Sequence, residues 1–66
     1  MAVAKVIELT ASSGESFEDA VAQGIKKASE TVRDIRGAYV KEHMVRVDGG
    51  NISEYRVVLK VTFVLE

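Results

Sequence analysis

From Tyr55 to Leu65 every second residue is large and apolar: Tyr55, Val57, Leu59, Val61, Phe63 and Leu65. The positions between them hold Arg56, Val58, Lys60, Thr62, Val64 and, at the end, Glu66. Strict alternation over this length is the mark of a β-strand, because successive side chains on a strand point to opposite faces. At about 3.3 Å per residue the strand exceeds 30 Å. Val58 and Val64 put β-branched carbon on its second face too, so both faces expect some cover. A chain of 66 residues is short for so long a strand with two covered sides.

Length makes the difficulty sharper. One core in a chain this size supplies only about 3–5 kcal/mol, so small domains normally carry a staple. There is no cysteine, which excludes disulfides, thiolate metal sites and cysteine nucleophiles together. The one histidine, His43, cannot build a histidine-rich zinc site alone. At 47% hydrophobic residues and a net charge of −1, the chain is unlike a disordered segment. Association with further copies is the staple that remains. The nine Lys and Arg are spread without clustering, so no basic footprint for nucleic acid is present. No window approaches the ~20 apolar residues of a membrane span, and no secretion leader is evident. The expectation is one cytoplasmic domain over residues 1–66, binding neither nucleic acid nor membrane.

The remaining elements follow in order. Val3 to about Ala11 reads as a strand. Ser16 is a helix N-cap, with Asp19 three residues on as an acidic variant of the capping box. Phe17, Ala20, Val21, Gly24, Ile25 and Ala28 recur at spacings of three and four, and Val32 and Ile35 prolong the stripe. This predicts a helix of about 17 residues, whose small Gly24 and Ala28 let it lie close to a sheet. A second strand is expected from about Ala38 to Val47, with Ala38, Val40, Glu42 and Met44 on one face. Tyr39, Lys41, His43, Val45 and Val47 fall on the other. Asp48-Gly49-Gly50-Asn51 is a reverse turn, since glycine accepts positive φ at no steric cost. The order is β-α-β-β, an α+β fold. Placing the last strand between the other two makes every pair antiparallel and gives the strand order 1-3-2. The helix then covers the face bearing Tyr55, Val57, Leu59 and Val61.

The run "KVIELTASSGESFEDAVAQGIKKASETV", the Gly-rich turn and the closing "EYRVVLKVTFVLE" resemble the dodecin family over essentially the whole chain. The resemblance lies in overall pattern rather than in a catalytic signature. It implies a sharply curved three-stranded sheet partly wrapping one helix, assembled into a hollow homododecamer that binds or stores a small ligand. Flavin is the ligand of the best-known members, so FMN or riboflavin is the implied cofactor. Those members place a tryptophan at the start of the second strand to stack on the flavin ring; here that position is Gly37. They place a glutamine after the tyrosine of the third strand; here it is Arg56. Stacking on an aromatic face contributes about 0.5–1.5 kcal/mol beyond burial, so weak flavin affinity is expected. Some members without the tryptophan are associated with calcium, which implies as alternative a non-flavin shell that binds cations or serves as a scaffold.

Each candidate residue also has a plain structural reading. Gly37 reads as a helix C-cap or strand-entry glycine taking positive φ, or as a vacated ligand slot. Arg56 reads as a solvated or ion-paired strand residue, or as a fork for an anion. Glu42 matches an acidic position near the family's ligand site, or pairs with Arg56 or Arg46 across strands. His43 reads as exposed. No nucleophile–base arrangement, paired carboxylates or phosphate loop emerges, so the chain is not expected to be an enzyme.

Overall fold

The structure, a computed structural model, describes residues 3–65; Glu66 lies outside them. β1 (Val3–Ser13), α1 (Phe17–Ala28), β2 (Ile35–Asp48) and β3 (Asn51–Leu65) follow in that order. The sheet order is β1-β3-β2, and both pairs are antiparallel. The long apolar strand is therefore central. β1 pairs with all of it but the first four residues, from Ser13 opposite Tyr55 to Val3 opposite Leu65. β2 pairs along its whole length, from Asp48 opposite Asn51 to Ile35 opposite Phe63.

The turn between β2 and β3 behaves as its glycines dictate. Gly49 and Gly50 have φ of 59° and 82°, the two successive left-handed residues of a type I′ hairpin, whose twist matches that of the strands. At the other crossing Ser16 caps α1, its Oγ accepting from the Asp19 N–H at 2.9 Å. The Asp19 carboxylate does not close the box on the Ser16 N–H. It accepts instead from Ser13 Oγ at 2.6 Å, and Ser13 Oγ accepts from the Glu15 N–H at 2.9 Å. The end of β1 and the start of α1 are thus tied through one nearly buried hydroxyl. Glu18 and Asp19 lie in the first helical turn and Lys26 and Lys27 in the last, which suits the helix dipole.

The helix is shorter than its stripe predicts. It has 12 residues and ends at Ala28, with Ser29 as C-cap donating to Ile25 O. Val32 and Ile35 continue the three-four spacing but lie beyond it. Val32 N–H still bonds Ala28 O at 2.9 Å, one last turn before the chain leaves. Asp34 then takes φ 58°, a left-handed conformation that Asp tolerates better than most residues. Its carbonyl accepts from the Val64 N–H at 3.1 Å. Ile35 thereby enters β2 three residues earlier than expected, packed against the core.

Val57, Leu59 and Val61 of β3 are fully buried under Ala20 of α1, as the alternation requires. Each such side chain contributes about 1.5–3 kcal/mol. Gly24 sets the closeness of approach: a Cβ there would lie 3.0 Å from both Ala11 Cβ and Leu59 Cδ1. At about 1.5 Å per residue α1 spans roughly 18 Å, whereas the molecule is 51 Å long. The first helical residue, Phe17, packs edge-on against His43 and Tyr55, with ring centroids at 4.8 and 5.2 Å. His43 is exposed yet has a ring partner. Beyond these rings the β2–β3 hairpin continues as an arm without helix cover, and Val47 at 63% and Ile52 at 50% are exposed there.

Candidate functional site

The sheet face turned away from α1 carries the candidate residues, and one irregularity puts Glu42 among them. In β2 the register steps from Val40↔Leu59 directly to Glu42↔Val58, leaving Lys41 as an extra, bulged residue. Val40 shares the helix side with buried Leu59. Simple alternation would return Glu42 and Met44 to that side. The bulge turns them over: Glu42 lies opposite Val58 and Met44 opposite Arg56, both on the outward face. Gly37 and Tyr39, opposite Thr62 and Lys60, lie there too. The expected grouping of Glu42 and Met44 with Ala38 and Val40 is thus corrected. A bulge adds one residue and so reverses every side chain after it.

Gly37, Glu42 and Arg56 consequently occupy one face, but they are not all neighbours. Arg56 lies two residues along β3 from Val58, Glu42's partner, which makes Glu42 and Arg56 diagonal neighbours. Gly37 pairs with Thr62, six residues further, or about 20 Å along the strand. A single small ligand does not span Gly37 and Arg56 within one chain.

Two ion pairs lie on this face among the described residues. Arg56 Nη2 donates to Glu54 Oε1 at 2.8 Å, along its own strand. The expectation that Glu42 pairs with Arg56 or Arg46 is therefore not met: among the described residues Glu42 has no ion pair. The bulged Lys41 reaches across the sheet to Glu8 Oε1 at 3.5 Å. Lys60, opposite Glu8 in register, instead places its ammonium 6.0 Å from the centre of the Tyr39 ring, within reach of a cation–π attraction. The Glu8 carboxylate pairs with Lys41, which leaves the Lys60 ammonium beside an exposed aromatic ring.

Gly37 is not a φ-driven glycine. Its φ is not in the left-handed region, which Asp34 occupies instead; Gly37 sits inside β2. A Cβ built on it would meet no atom within 4 Å. The reading of Gly37 as a C-cap is corrected, and open space above the sheet is what remains. That space offers a flavin no stacking surface from this residue, and the chain has no tryptophan elsewhere. The residues present do not match the stacking slot implied for flavin. Among the described residues no group of three or more His, Asp or Glu is gathered as for a metal ion. No helix among them is long and apolar enough to cross a membrane.

Sequence reasoning placed Tyr39 on the second strand but gave no sign of its contact with Lys60 or of the Glu8–Lys41 bridge. Both depend on register, which the sequence does not state.

Comparison with known proteins agrees with this architecture. The family model described as Dodecin matches residues 3–66. The calcium dodecin of Mycobacterium tuberculosis is 40% identical over 63 residues, covering 96% of this chain and 89% of that protein. The dodecin of Thermus thermophilus is 36% identical over 64 residues, covering 97% and 93%. Among solved structures, dodecin from Streptomyces coelicolor superposes with a TM-score of 0.94 at 26% identity, covering 98% of this chain and 93% of that one. The crystal structure of the M. tuberculosis calcium dodecin, described as having a novel calcium-binding site, superposes at 0.83 with 40% identity, covering 97% and 91%. None of these relatives is named for an enzymatic activity. With the family model matched over nearly the whole chain and the fold shared element by element, the chain belongs to the dodecin family, a family of small ligand-binding proteins.

Proposed function

We propose that this chain assembles as a homododecamer in the cytoplasm and holds a small anionic ligand between the outward sheet faces of neighbouring copies, without acting as an enzyme. The observation that carries this reading is the bulge at Lys41, which turns Glu42 onto the face that already bears Gly37, Tyr39, Arg56 and Lys60. Because Gly37 and Arg56 are about 20 Å apart along one chain, a ligand touching both takes them from different copies. Flavin is a weak ligand for this face. Gly37 gives no stacking surface, and Arg56 only donates where a flavin ring edge also seeks an acceptor.

The exposed surface supports assembly. A compact monomer of 7.2 kDa exposes about 4,100 Å². This chain exposes 4843 Å², roughly 700 Å² more, close to the ~800 Å² that one partner buries in a standard interface. The excess belongs to an elongated body with an uncovered arm.

A second reading has its own observation. Glu42 has no ion pair among the described residues, and a relative at 40% identity is named for calcium. Copies of Glu42 brought together on a symmetry axis form a hard-oxygen site suited to that ion. Native purification followed by light scattering, absorbance and mass spectrometry of the retained ligand tests both readings. A colourless assembly that retains an anionic organic molecule supports the first, and retained calcium supports the second. A ligand-free monomer contradicts both.

A further inference from the structure

Met44 holds the one sulfur among the described residues. The chain has no cysteine and two methionines, and the other, Met1, lies outside them. Methionine commonly fills irregular space in a core, yet Met44 is 48% exposed. The bulge at Lys41 is the reason, because it turns Met44 from the helix side to the outward face. There Met44 stands directly opposite Arg56 in register, a placement that sets Cβ atoms about 4.5–5.5 Å apart.

Arg56 has no acid directly across from it on either side. Its neighbour on β1 is Ser12, and its neighbour on β2 is Met44. Its counter-charge comes from Glu54 along its own strand, at 2.8 Å from Nη2. A guanidinium carries several N–H donors, and this contact engages one nitrogen. Arg46 follows Met44 on the same face by the strand period and lies opposite Glu54. Met44 is thus flanked by two guanidinium-bearing residues. A thioether sulfur is a weak acceptor, so the reduced side chain leaves their donors open to a ligand.

We propose that Met44 is an oxidation site whose sulfoxide engages Arg56 and lowers the affinity of this face for anions. A peroxide supplies the oxygen. A sulfur lone pair attacks one peroxide oxygen and the O–O bond breaks. The departing hydroxide takes the proton from the transferred oxygen and leaves as water. Methionine is oxidised to its sulfoxide and hydrogen peroxide is reduced to water. The apolar side chain becomes polar, and its new oxygen competes with a ligand for the guanidinium donors across the strand. Enzymatic reduction of the sulfoxide returns the thioether, and with it the open guanidinium. This rests on the reading of the face as an anion site, and it adds a control of that site by peroxide.

The test compares wild type with Met44→Leu, each before and after treatment with hydrogen peroxide. Peptide mass analysis is expected to find one added oxygen on Met44, with circular dichroism and assembly mass unchanged. Calorimetry should then show FMN affinity reduced at least about threefold, with riboflavin affinity unaltered. Treated Met44→Leu should bind FMN as it does untreated. Met44→Gln, which sets a permanent acceptor at this position, should weaken FMN binding without peroxide. A Met44 that takes up no oxygen, unchanged FMN affinity when it is fully oxidised, or an equal loss in Met44→Leu overturns the proposal. If the untreated protein binds no FMN, the anion-site reading fails, and the Arg56 Nε–H resonance decides the contact separately. A shift on oxidation in wild type and not in Met44→Leu supports the Met44–Arg56 contact, and no shift removes it.

Discussion

Arg56 donates to Glu54 at 2.8 Å along the same strand, so the guanidinium nearest the candidate ligand face is held by a neighbour two residues away. Both side chains are about one-third exposed, and a pair so placed contributes at most about 1 kcal/mol. An anionic ligand therefore competes for Arg56 at small cost. Wild-type protein is expected to bind FMN several-fold more tightly than riboflavin. Glu54→Gln should widen that ratio and Arg56→Gln should narrow it towards one. Calorimetric titrations with the two flavins check this, and added salt should weaken FMN binding more than riboflavin binding. An unchanged ratio in Arg56→Gln would place the phosphate elsewhere.

Gly24 is the point of closest approach between helix and sheet. Added carbon there meets Ala11 Cβ and Leu59 Cδ1 at 3.0 Å. Ala11 is fixed by its strand, and Leu59 is fully buried. Overpacking costs about 1–3 kcal/mol, against roughly 0.5–1 kcal/mol gained when Ala replaces Gly in a helix. Gly24→Ala is expected to destabilise by about 1 kcal/mol net and Gly24→Val by considerably more. Urea unfolding monitored by circular dichroism measures both; a stabilised Gly24→Ala would show that the sheet yields.

Val61 and Lys60 are adjacent in sequence and opposed in environment. Val61 is fully buried, and an unpaired charge there costs several kcal/mol, comparable with the stability of the whole domain. Val61→Asp should yield no folded, assembled protein. Lys60→Asp, on the outward face, should fold, losing the contact with Tyr39 and setting a second acid opposite Glu8, a milder cost at an exposed cross-strand pair. Soluble expression and light scattering of the two variants distinguish them, and equal behaviour would mean that the faces are misassigned.

The Ser13–Asp19 bond at 2.6 Å ties β1 to α1 independently of the Ser16 cap. Ser13→Ala removes the acceptor for Glu15 N–H as well as the donor to Asp19. It is expected to cost about 1–3 kcal/mol, at least as much as the roughly 1 kcal/mol for Ser16→Ala. Thermal unfolding of the two single variants ranks them.

The parts of this fold written in local pattern could be read directly from the chain. The alternation from Tyr55 to Leu65 gave β3 its central place and its buried side, the two glycines gave the hairpin, and Ser16 gave the helix start. The helix end was hidden because Val32 and Ile35 keep its spacing, and neither Gly nor Pro marks the stop. What ends the helix is tertiary: Asp34 turns left-handed and Ile35 joins β2 opposite Phe63. The bulge at Lys41 was equally silent, since a lysine between Val40 and Glu42 is ordinary strand sequence. Its consequence was large, because it decided which face Glu42 and Met44 occupy. Gly37 and Arg56 were identified through the family resemblance, and their separation along the sheet became visible only with the register.

The most direct measurement is a fluorescence-quenching titration of riboflavin with wild-type protein and with Gly37→Trp combined with Arg56→Gln. A Cβ on Gly37 meets no atom within 4 Å, so a side chain can start there without a clash, and an indole supplies a stacking face. Glutamine restores a group that both donates and accepts at the ring edge. The wild type should bind riboflavin weakly, and the double variant should bind it at least tenfold more tightly. Tight binding by the wild type, unchanged in the double variant, would mean that the ligand does not use the face bearing Gly37 and Arg56.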